Sequence, residues 1–313
     1  MMRTEECKFN GHVAKALTAQ DGSRMVIMAG WGPRIASFRS PAGVEFMLQG
    51  PEDRFARGEW KLGGGGRVWT YRGPADEVEE SYAPDNLPCA VVEIASTIIG
   101  AETAVIIGGV DPRFLIQRGF RIRENDKGGF DVTSFVHNAS EEMLWSGGVW
   151  AIAAIDPCCF ISIPTGDPKS NWEDTTYHVV WRWAGHATSC KFIREQVIIR
   201  PGLLNILPGE EEGKIMVQSP AGAIMAVNTA QQACFVKVAP WQAALADKYP
   251  AGCNLAVYSS PGHMFRESET MGPQCLRLEA GAEIHHTERW YALDGLEPFW
   301  DNAEAVHEFV SVL

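Results

Sequence analysis

The sequence lacks the marks of several large protein classes. It contains no run of about 18 apolar residues, so we expect no membrane-spanning helix. Its first residues, MMRTEECKFNGHVAK, contain no apolar segment of the secretory-signal type. Lysine and arginine total 27 against 39 acidic residues, the net charge is -12, and no basic run occurs. Nucleic acid is therefore not an expected partner.

Nucleotide, flavin and metal motifs are also missing. No G-x-G-x-x-G precedes a helical pattern, and no HExxH or paired Cys/His spacing occurs. We therefore expect neither a cofactor nor a metal ion. The eight cysteines form no CxxC pair, and we interpret most of them, including the adjacent Cys158 and Cys159, as small buried apolar side chains. Reduced thiols in a chain without a signal favour a cytoplasmic protein.

Glycine and proline, by contrast, are plentiful: they number 31 and 18 in 313 residues and are spread along the whole chain. Such a distribution is typical of many short strands joined by turns. Segments such as FLIQRGFRI, FDVTSFVHN, CFVKVA and NLAVYS are rich in β-branched and aromatic residues and are bounded by turn residues. No linker or repeat interrupts them, so we expect one domain over residues 1–313 with its core at about 24–294.

Hydrophobic alternation predicts how these strands are buried. In FDVTSFVHN one face carries Phe130, Val132, Ser134 and Val136, and the other carries Asp131, Thr133, Phe135 and His137. Many such segments without helices between them indicate an all-β fold, a large antiparallel sandwich with few short helices. The clearest helix is C-terminal, at about 299–313, with Asp301 as its predicted N-cap. A second short helix is expected within PWQAALADKYP.

The stretch WKLGGGGRVWTYR (60–72) is the first candidate for a functional site. Four consecutive glycines are costly in backbone entropy, so either something approaches this backbone closely, as a ligand often does at glycine clusters, or the backbone needs positive φ angles. Arg67 and Trp69 then share a strand face, and a guanidinium beside an aromatic ring suits a polar ring such as a sugar. The alternative is a strained hairpin with a surface arginine.

The loop EESYAPDNLPC (79–89) displays Tyr82, Asp85 and Asn86, which are good groups for binding hydroxyls. The alternative for Asp85 and Asn86 is a turn in which each side chain satisfies its own backbone. Four tryptophans, Trp69, Trp150, Trp181 and Trp183, are candidates for stacking on a sugar ring, although tryptophan in a sandwich more often packs in the core.

Two glutamates stand out in RESETMGP. Glu267 and Glu269 point to the same side of a strand, and their repulsion would raise the pKa of one of them toward the range of a general base. The alternative is one exposed and one salt-bridged glutamate. In the later doublet His285 and His286, at most one histidine shares a strand face with Glu288, so metal binding is not expected.

The motifs follow one another in an order that resembles the aldose 1-epimerase-like (galactose mutarotase-like) superfamily over about residues 24–294. In chain order they are GPRIASFRSPAGVEFML, GGGGRVW, SYAPDN, TSFVHNASEEMLWSGGVWAI, GKI, YPAGCNLAVYS, ESETMGP and LEAGAEIHHTERWYAL. The resemblance is closer to a poorly characterised bacterial branch with GG-x-R-x-W and a late E-x-E-x-x-G-P than to the classical aldose 1-epimerases. It implies a β-supersandwich with a carbohydrate-binding cleft on its concave face.

The resemblance also implies chemistry. Aldose 1-epimerases interconvert sugar anomers: a glutamate takes the proton of the anomeric hydroxyl, a histidine protonates the ring oxygen, and the opened ring recloses on either face. The family glutamate matches Glu269, with Glu267 as second choice. The branch's arginine and lysine match Arg67 and Lys214. The predicted substrate-binding set is completed by Trp69, Tyr82, Asn86, Trp150 and His178.

The two histidines of the classical epimerases are absent here. One position corresponds to Leu62, ahead of the glycine run, and the other falls within SGGVWAI. Without a general acid, proton transfer to the ring oxygen loses a factor of about 10²–10⁴ in rate. The candidates to replace it are His137, His178, Tyr82 and Lys214.

Three functions stay open on this evidence, each with a small-molecule carbohydrate as partner. The favoured one is an aldose mutarotase-like isomerase acting on a free sugar or sugar derivative. The second is a carbohydrate-binding protein without catalysis. The third is lyase or other isomerase chemistry on the same scaffold. The sequence specifies neither the sugar nor the oligomeric state.

Overall fold

The computed structural model of the chain describes residues 2–50, 56–57, 60–73, 77–95, 102–170 and 175–313. Within these residues the chain forms two large antiparallel sheets packed face to face, one of eleven strands and one of ten. This confirms the predicted all-β antiparallel β-supersandwich. No helix in the described ranges is long and apolar enough to cross a membrane.

The first sheet contains the Gly-rich and Glu-x-Glu motifs. Its strands are β1 (Arg3–Phe9), β2 (His12–Thr18), β3 (Arg24–Met28), β4 (Ile35–Arg39), β7 (Gly65–Tyr71), β12 (Trp145–Ile155), β14 (Tyr177–Val179), β19 (Gly213–Val217), β22 (Leu255–Ser259), β23 (Arg266–Met271) and β24 (Cys275–Leu278). Their order is β1-β2-β3-β4-β7-β12-β23-β22-β19-β14, and β24 also pairs with β12. The sheet thus begins ahead of residue 24, where the family resemblance starts.

The second sheet packs against the first. Its strands are β8 (Cys89–Ala95), β9 (Glu102–Gly108), β10 (Ile116–Glu124), β11 (Phe130–Asn138), β13 (Phe160–Pro164), β17 (Val197–Arg200), β18 (Leu203–Ile206), β20 (Ala223–Asn228), β21 (Ala233–Val238) and β25 (Glu283–Leu293). Their order is β17-β18-β13-β20-β21-β25-β11-β10-β9-β8. Two small hairpins stand outside the large sheets: β5 (Ala56–Arg57) with β6 (Trp60–Lys61), and β15 (Arg182–Trp183) with β16 (His186–Ala187).

The helical segments are short. They are α1 (Glu79–Tyr82), α2 (Ala303–Val312), a π-helical turn (Phe192–Gln196) and 3₁₀ turns at Ala83–Asn86, Ala243–Lys248, Pro250–Gly252 and Pro261–His263. The C-terminal helix is confirmed, but its cap is Asn302, whose side chain accepts from Ala305 N at 3.1 Å, and not the predicted Asp301. The helix expected within PWQAALADKYP is a 3₁₀ turn.

The core lies between the two sheets and follows the predicted alternation. Phe130, Val132 and Val136 of β11 are fully buried in it. Rings from both sheets interlock there: Phe38 of β4 lies 5.3 Å from Phe235 of β21, edge to face. Some of the cysteines are buried as predicted, whereas Cys158 and Cys190 are exposed.

The glycine run is explained by packing within the chain. The φ angle is positive at three of its residues, with values of 59°, 69° and 71° at Gly63, Gly64 and Gly65. A Cβ at these positions would overlap, in turn, the ring of Trp31 and the carbonyl oxygens of Leu48 and Ile35. The glycine run therefore has both positive φ angles and a close approach, which the chain itself supplies. The alternative of a surface arginine is wrong, because Arg67 is buried.

Candidate functional site

Most of the predicted side chains meet on the outer face of the first sheet, the face turned away from the second sheet. Because side chains alternate along a strand, neighbouring residues such as Val68 point into the core instead. The predicted residues on the outer face are Arg67, Trp69, Trp150, Lys214, Glu267 and Glu269. Tyr82 packs beside them from α1.

Glu267 is paired with Arg67. Strand β12 lies between their strands, and its residue level with Glu267 is Ala154, whose small side chain lets the guanidinium cross. Arg67 Nη2 donates to Glu267 Oε1, and Arg67 Nε lies 3.7 Å from Asp85 Oδ2. Arg67 is 1% exposed, and among the described residues its Nε and Nη1 find no hydrogen-bond acceptor. The guanidinium carbon of Arg67 lies 5.0 Å from the centre of the Trp69 ring.

Glu269 is fully buried and hydrogen-bonded at both oxygens. Trp150 Nε1 donates to its Oε2 at 2.8 Å, and Lys214 Nζ donates to its Oε1 at 3.1 Å. Lys214 reaches it from β19 across β22, where the residue level with Glu269 is the small Ala256. The ammonium also lies 4.3 Å from the centre of the Trp150 ring. We call Glu269, Lys214 and Trp150 the carboxylate cluster.

The pKa of Glu269 in this cluster is subject to opposing effects. Burial raises the pKa of Glu269 above that of an ordinary glutamate; the Lys214 ammonium lowers it, and the charge of Glu267 raises it further. The predicted repulsion thus acts in the expected direction, but burial is the larger cause. The alternative of one exposed and one salt-bridged glutamate is wrong, because both are buried and both are paired.

Aromatic rings flank the Arg67 end of the face. Trp69 lies edge-on to Trp150 at 5.5 Å, and its ring centre is 6.4 Å from that of Tyr82. Asp85 accepts hydrogen bonds from Trp69 Nε1 at 2.6 Å and Trp60 Nε1 at 3.1 Å. Asp85 therefore orients two tryptophans, and it does not form the turn with its own backbone that the sequence allowed.

A narrow recess of about 180 Å³ opens between these side chains, lined by Tyr71, Trp150, Lys214, Glu269 and Met271 among others. This volume includes space open to solvent, and the lining side chains leave almost no room in the recess for a water molecule. A sugar ring would therefore contact Glu269 only after the side chains that cover the carboxylate move.

Three predicted residues are not brought to the carboxylate cluster. His137 lies in the second sheet on the face away from the inter-sheet core, and thus on the opposite side of the sandwich. His178 is exposed on the edge strand β14, three strands from Glu269, or about 14 Å at the usual strand spacing. The amide of Asn86 is occupied by the backbone of Lys61, accepting from its N at 2.6 Å and donating to its O at 3.1 Å.

A second polar group on the same face was missed from the sequence. Tyr258 of β22, level with Glu267, donates its hydroxyl to Glu212 Oε1 at 2.8 Å. His186 Nδ1 lies 2.8 Å from the same oxygen, and its ring stacks on Trp183 at 5.5 Å. Burial and the bond to Glu212 raise the pKa of Tyr258. The segment WRWAGHA, in which an Ala-Gly turn joins two short strands, could have indicated this polar group.

The face therefore offers groups for proton transfer beside rings for stacking. Glu269 is a carboxylate with a raised pKa, and Lys214 is a proton donor in contact with it. Such pairs suit general acid–base chemistry on hydroxyl groups. No group of three or more His, Cys, Asp or Glu side chains in the described part of the chain is placed to hold a metal ion.

The fold is shared with solved structures that include candidate aldose 1-epimerases. A candidate aldose 1-epimerase from Klebsiella pneumoniae is 11% identical, with 99% of this chain and 91% of that chain covered and a TM-score of 0.52. Another from Escherichia coli K12 is 9% identical, with 94% of this chain and 100% of that chain covered and a TM-score of 0.53. A protein from Synechocystis sp. PCC 6803 is 11% identical, with 94% of this chain and 97% of that chain covered and a TM-score of 0.54.

Comparison of the sequence with known proteins gave no match, in contrast to the comparison of structures. No protein-family model matches the chain, and no curated protein matches it. At these low identities the likeness to solved structures establishes the fold alone, and it agrees with the motif order described above.

Proposed function

We propose that the protein is an aldose mutarotase-like enzyme that opens and recloses the ring of a free sugar. The observation that carries this proposal is the carboxylate cluster: Glu269 has a raised pKa and is in contact with Lys214 and Trp150 on one sheet face. The fold shared with candidate aldose 1-epimerases supports a carbohydrate substrate. The motif resemblance, in addition, matches Glu269 to the glutamate of that family.

In this mechanism Glu269 is the base and Lys214 the acid. Glu269 takes the proton of the anomeric hydroxyl, the carbonyl forms, and the bond from the anomeric carbon to the ring oxygen breaks as Lys214 protonates that oxygen. Reclosure reverses each transfer on either face of the carbonyl. Because both Glu269 oxygens are occupied, the substrate hydroxyl replaces the hydrogen bond from Trp150 or Lys214. A base works best with a pKa near the operating pH, and burial moves that of Glu269 in this direction.

The charge of the face favours an uncharged sugar. Two cations, Arg67 and Lys214, meet three carboxylates, Asp85, Glu267 and Glu269. The face therefore has no excess positive charge to attract a phosphate or carboxylate group on the substrate. Arg67 Nη1 is buried and has no acceptor among the described residues, so it could donate to a sugar hydroxyl once the side chains that cover it move.

Anomer exchange tests the proposal. A panel of aldoses, each started from one pure anomer, is followed by proton NMR with and without protein. We expect the wild type to accelerate exchange and Glu269→Gln to lose at least about 100-fold of that acceleration. Glu308→Gln, on the exposed side of α2, is the matched control and should behave as wild type. A folded Glu269→Gln variant with full activity would remove Glu269 from the mechanism.

A carbohydrate-binding protein without catalysis is the second candidate. The observation that favours it is the absence of a histidine partner: none of the eight histidines, all within the described ranges, contacts Glu269. The position of one classical histidine is held by the buried Leu62. Sugars that raise the melting temperature without accelerating anomer exchange would support this candidate over the first.

A further inference from the structure

A buried polar network lies directly behind the strand that carries Glu269. Lys237 of β21 points into the core between the sheets and is fully buried. Its ammonium lies 2.8 Å from Glu288 Oε1 and donates to the backbone oxygens of Ala151 and Ser268, each at 3.1 Å. These three acceptors account for all three protons of the ammonium.

The network continues along β25. Glu288, also fully buried, accepts from Thr270 Oγ1 and, at 3.0 Å, from Trp290 Nε1. Because the Thr270 proton goes to Glu288, the hydroxyl oxygen accepts from His286 Nε2, which lies at 2.8 Å. Burial lowers the pKa of His286 to about 4, so this histidine is neutral at neutral pH.

The two backbone acceptors of Lys237 are adjacent to the carboxylate cluster. Ser268 stands between Glu267 and Glu269 on β23, and Ala151 follows Trp150 on β12. One ammonium therefore ties together, from behind, the two strands whose outward side chains form the Glu269–Trp150 hydrogen bond. Since side chains alternate along a strand, a shift of either carbonyl moves the residues beside it on the outer face.

Stability alone gives little reason for an ion pair at this place. Burying two charges costs desolvation, and replacing such a pair by apolar residues of similar volume is often neutral or stabilising. The surroundings are otherwise apolar and aromatic, so an apolar side chain at position 237 would suit the core. What the pair provides, and an apolar side chain cannot, is directed hydrogen bonding to two chosen carbonyls.

We propose that Lys237, held by Glu288, is a positioning residue that fixes Glu269 against Trp150 and Lys214. The consequence for catalysis rests on the proposed function, whereas the effect on the geometry of the cluster does not. Burial lowers the pKa of Lys237, whereas the charge of Glu288 and, more weakly and through the sheet, that of Glu269 raise it. Removing Lys237 should accordingly make Glu269 easier to protonate.

Several charged or titratable groups share the surroundings of Glu269, and all of them except Lys237 and Glu288 must be held constant. On the outer face these are Lys214, Glu267, Arg67, Asp85, Tyr258 and Glu212, and from the second sheet they are Lys237, Glu288 and His286. The test therefore changes only Lys237 and Glu288. The double variant Lys237→Met with Glu288→Gln removes both charges and leaves no unpaired ion in the core.

The readout is the indole N–H signal of Trp150 in nitrogen-15-labelled protein. The chain has 11 tryptophans, so the signal is assigned by its loss in Trp150→Phe. Because Trp150 Nε1 donates to Glu269, this signal follows the protonation of the carboxylate. In the double variant the lost charges of Lys237 and Glu288 largely offset each other at Glu269, but looser hydrogen bonds from Trp150 and Lys214 lower the pKa of Glu269 less. We therefore expect the titration midpoint of the signal to rise by about one pH unit. On the proposed function, anomer exchange should also fall on the order of 100-fold in kcat with little change in KM.

The matched control is Arg34→Met. Arg34 is another fully buried cation that donates to backbone oxygens, those of Leu62 and Gly64, away from β23. It should lower the melting temperature and leave the Trp150 titration unchanged. Should the first double variant not fold, Lys237→Met with Glu288→Met fills the space with apolar side chains and carries the same expected shift.

The outcomes separate the two proposals. A folded double variant whose Trp150 signal and midpoint match the wild type overturns the positioning role. If the wild type accelerates no anomer exchange, the proposed function fails, yet the indole titration still decides on Lys237 because it needs no substrate.

Discussion

Removing the amine that neutralises Glu269 should make the stability of the protein depend steeply on pH. In Lys214→Met, Glu269 stays fully buried but loses the cation 3.1 Å from its Oε1. Breaking a buried ion pair by removing one partner costs about 3–5 kcal/mol while the remaining charge stays ionised. The carboxylate avoids this cost by taking up a proton, since its pKa, already raised by burial, rises further without Lys214.

The sign of the pH dependence follows from which state binds the proton. An unfolded glutamate titrates near a pKa of about 4.3, whereas buried Glu269 in the variant keeps its proton to a higher pH. Between these two pKa values the folded state holds one proton more. The free energy of unfolding should therefore fall by up to about 1.4 kcal/mol for each pH unit between the two pKa values.

Urea unfolding at a series of pH values from 5 to 8 measures this slope. The double variant Lys214→Met with Glu269→Gln has no charge at either position, so it should lack the additional slope and be the more stable of the two at pH 8. Lys191→Met, which breaks the exposed pair with Glu211, should differ from the wild type by less than about 0.5 kcal/mol. If Lys214→Met and the double variant show the same pH dependence, Glu269 is not the buried, ion-paired carboxylate described here.

Two further predictions concern the scaffold around the face. Gly65→Ala should destabilise the protein by about 2 kcal/mol more than Gly281→Ala. Both glycines have φ near +70°, but only at Gly65 would a Cβ meet a carbonyl oxygen, that of Ile35. Equal losses of stability in urea unfolding would show that packing does not require the glycine run. His286 has a pKa lowered to about 4, below the unfolded value near 6.5, so its contribution is present above pH 6.5 and is lost as the pH falls toward 4. In His286→Gln the free energy of unfolding should change by about 3 kcal/mol less between pH 4 and pH 6.5 than in the wild type. An unchanged pH dependence would mean that His286 ionises freely in the folded protein.

Strand alternation made the composition of the face predictable. The period of two placed Glu267 with Glu269, and Arg67 with Trp69, and the structure keeps both pairs on one face. Strand alternation did not predict which residues contact these four side chains. Arg67 and Glu267 are 200 residues apart, and their contact depends on strand register and on Ala154 between them, neither of which is a local property.

Local patterns were also ambiguous where one residue type serves two purposes. A glycine run states that something comes close to the backbone, but not whether it is a ligand or, as here, Trp31, Leu48 and Ile35. His186 escaped notice because its partner Glu212 belongs to a different segment, GEEEGK, where three glutamates are adjacent and only one turns toward Tyr258. The cap of α2 fell one residue from the prediction because Asp301 and Asn302 are both good capping residues.

The arrangement of Lys214 explains how one carboxylate could be both stable in the resting protein and basic during a reaction. In the resting state Lys214 opposes the effect of burial on the pKa of Glu269, so the charged form is held by a partner. A substrate hydroxyl that takes the place of Lys214 removes this opposition, and the pKa of Glu269 then rises at the moment when the carboxylate must accept a proton. The displaced ammonium is at the same time released to donate to the ring oxygen. In the proposed mechanism, exchange of one hydrogen bond would thus prepare base and acid together, without the histidine that the classical epimerases use.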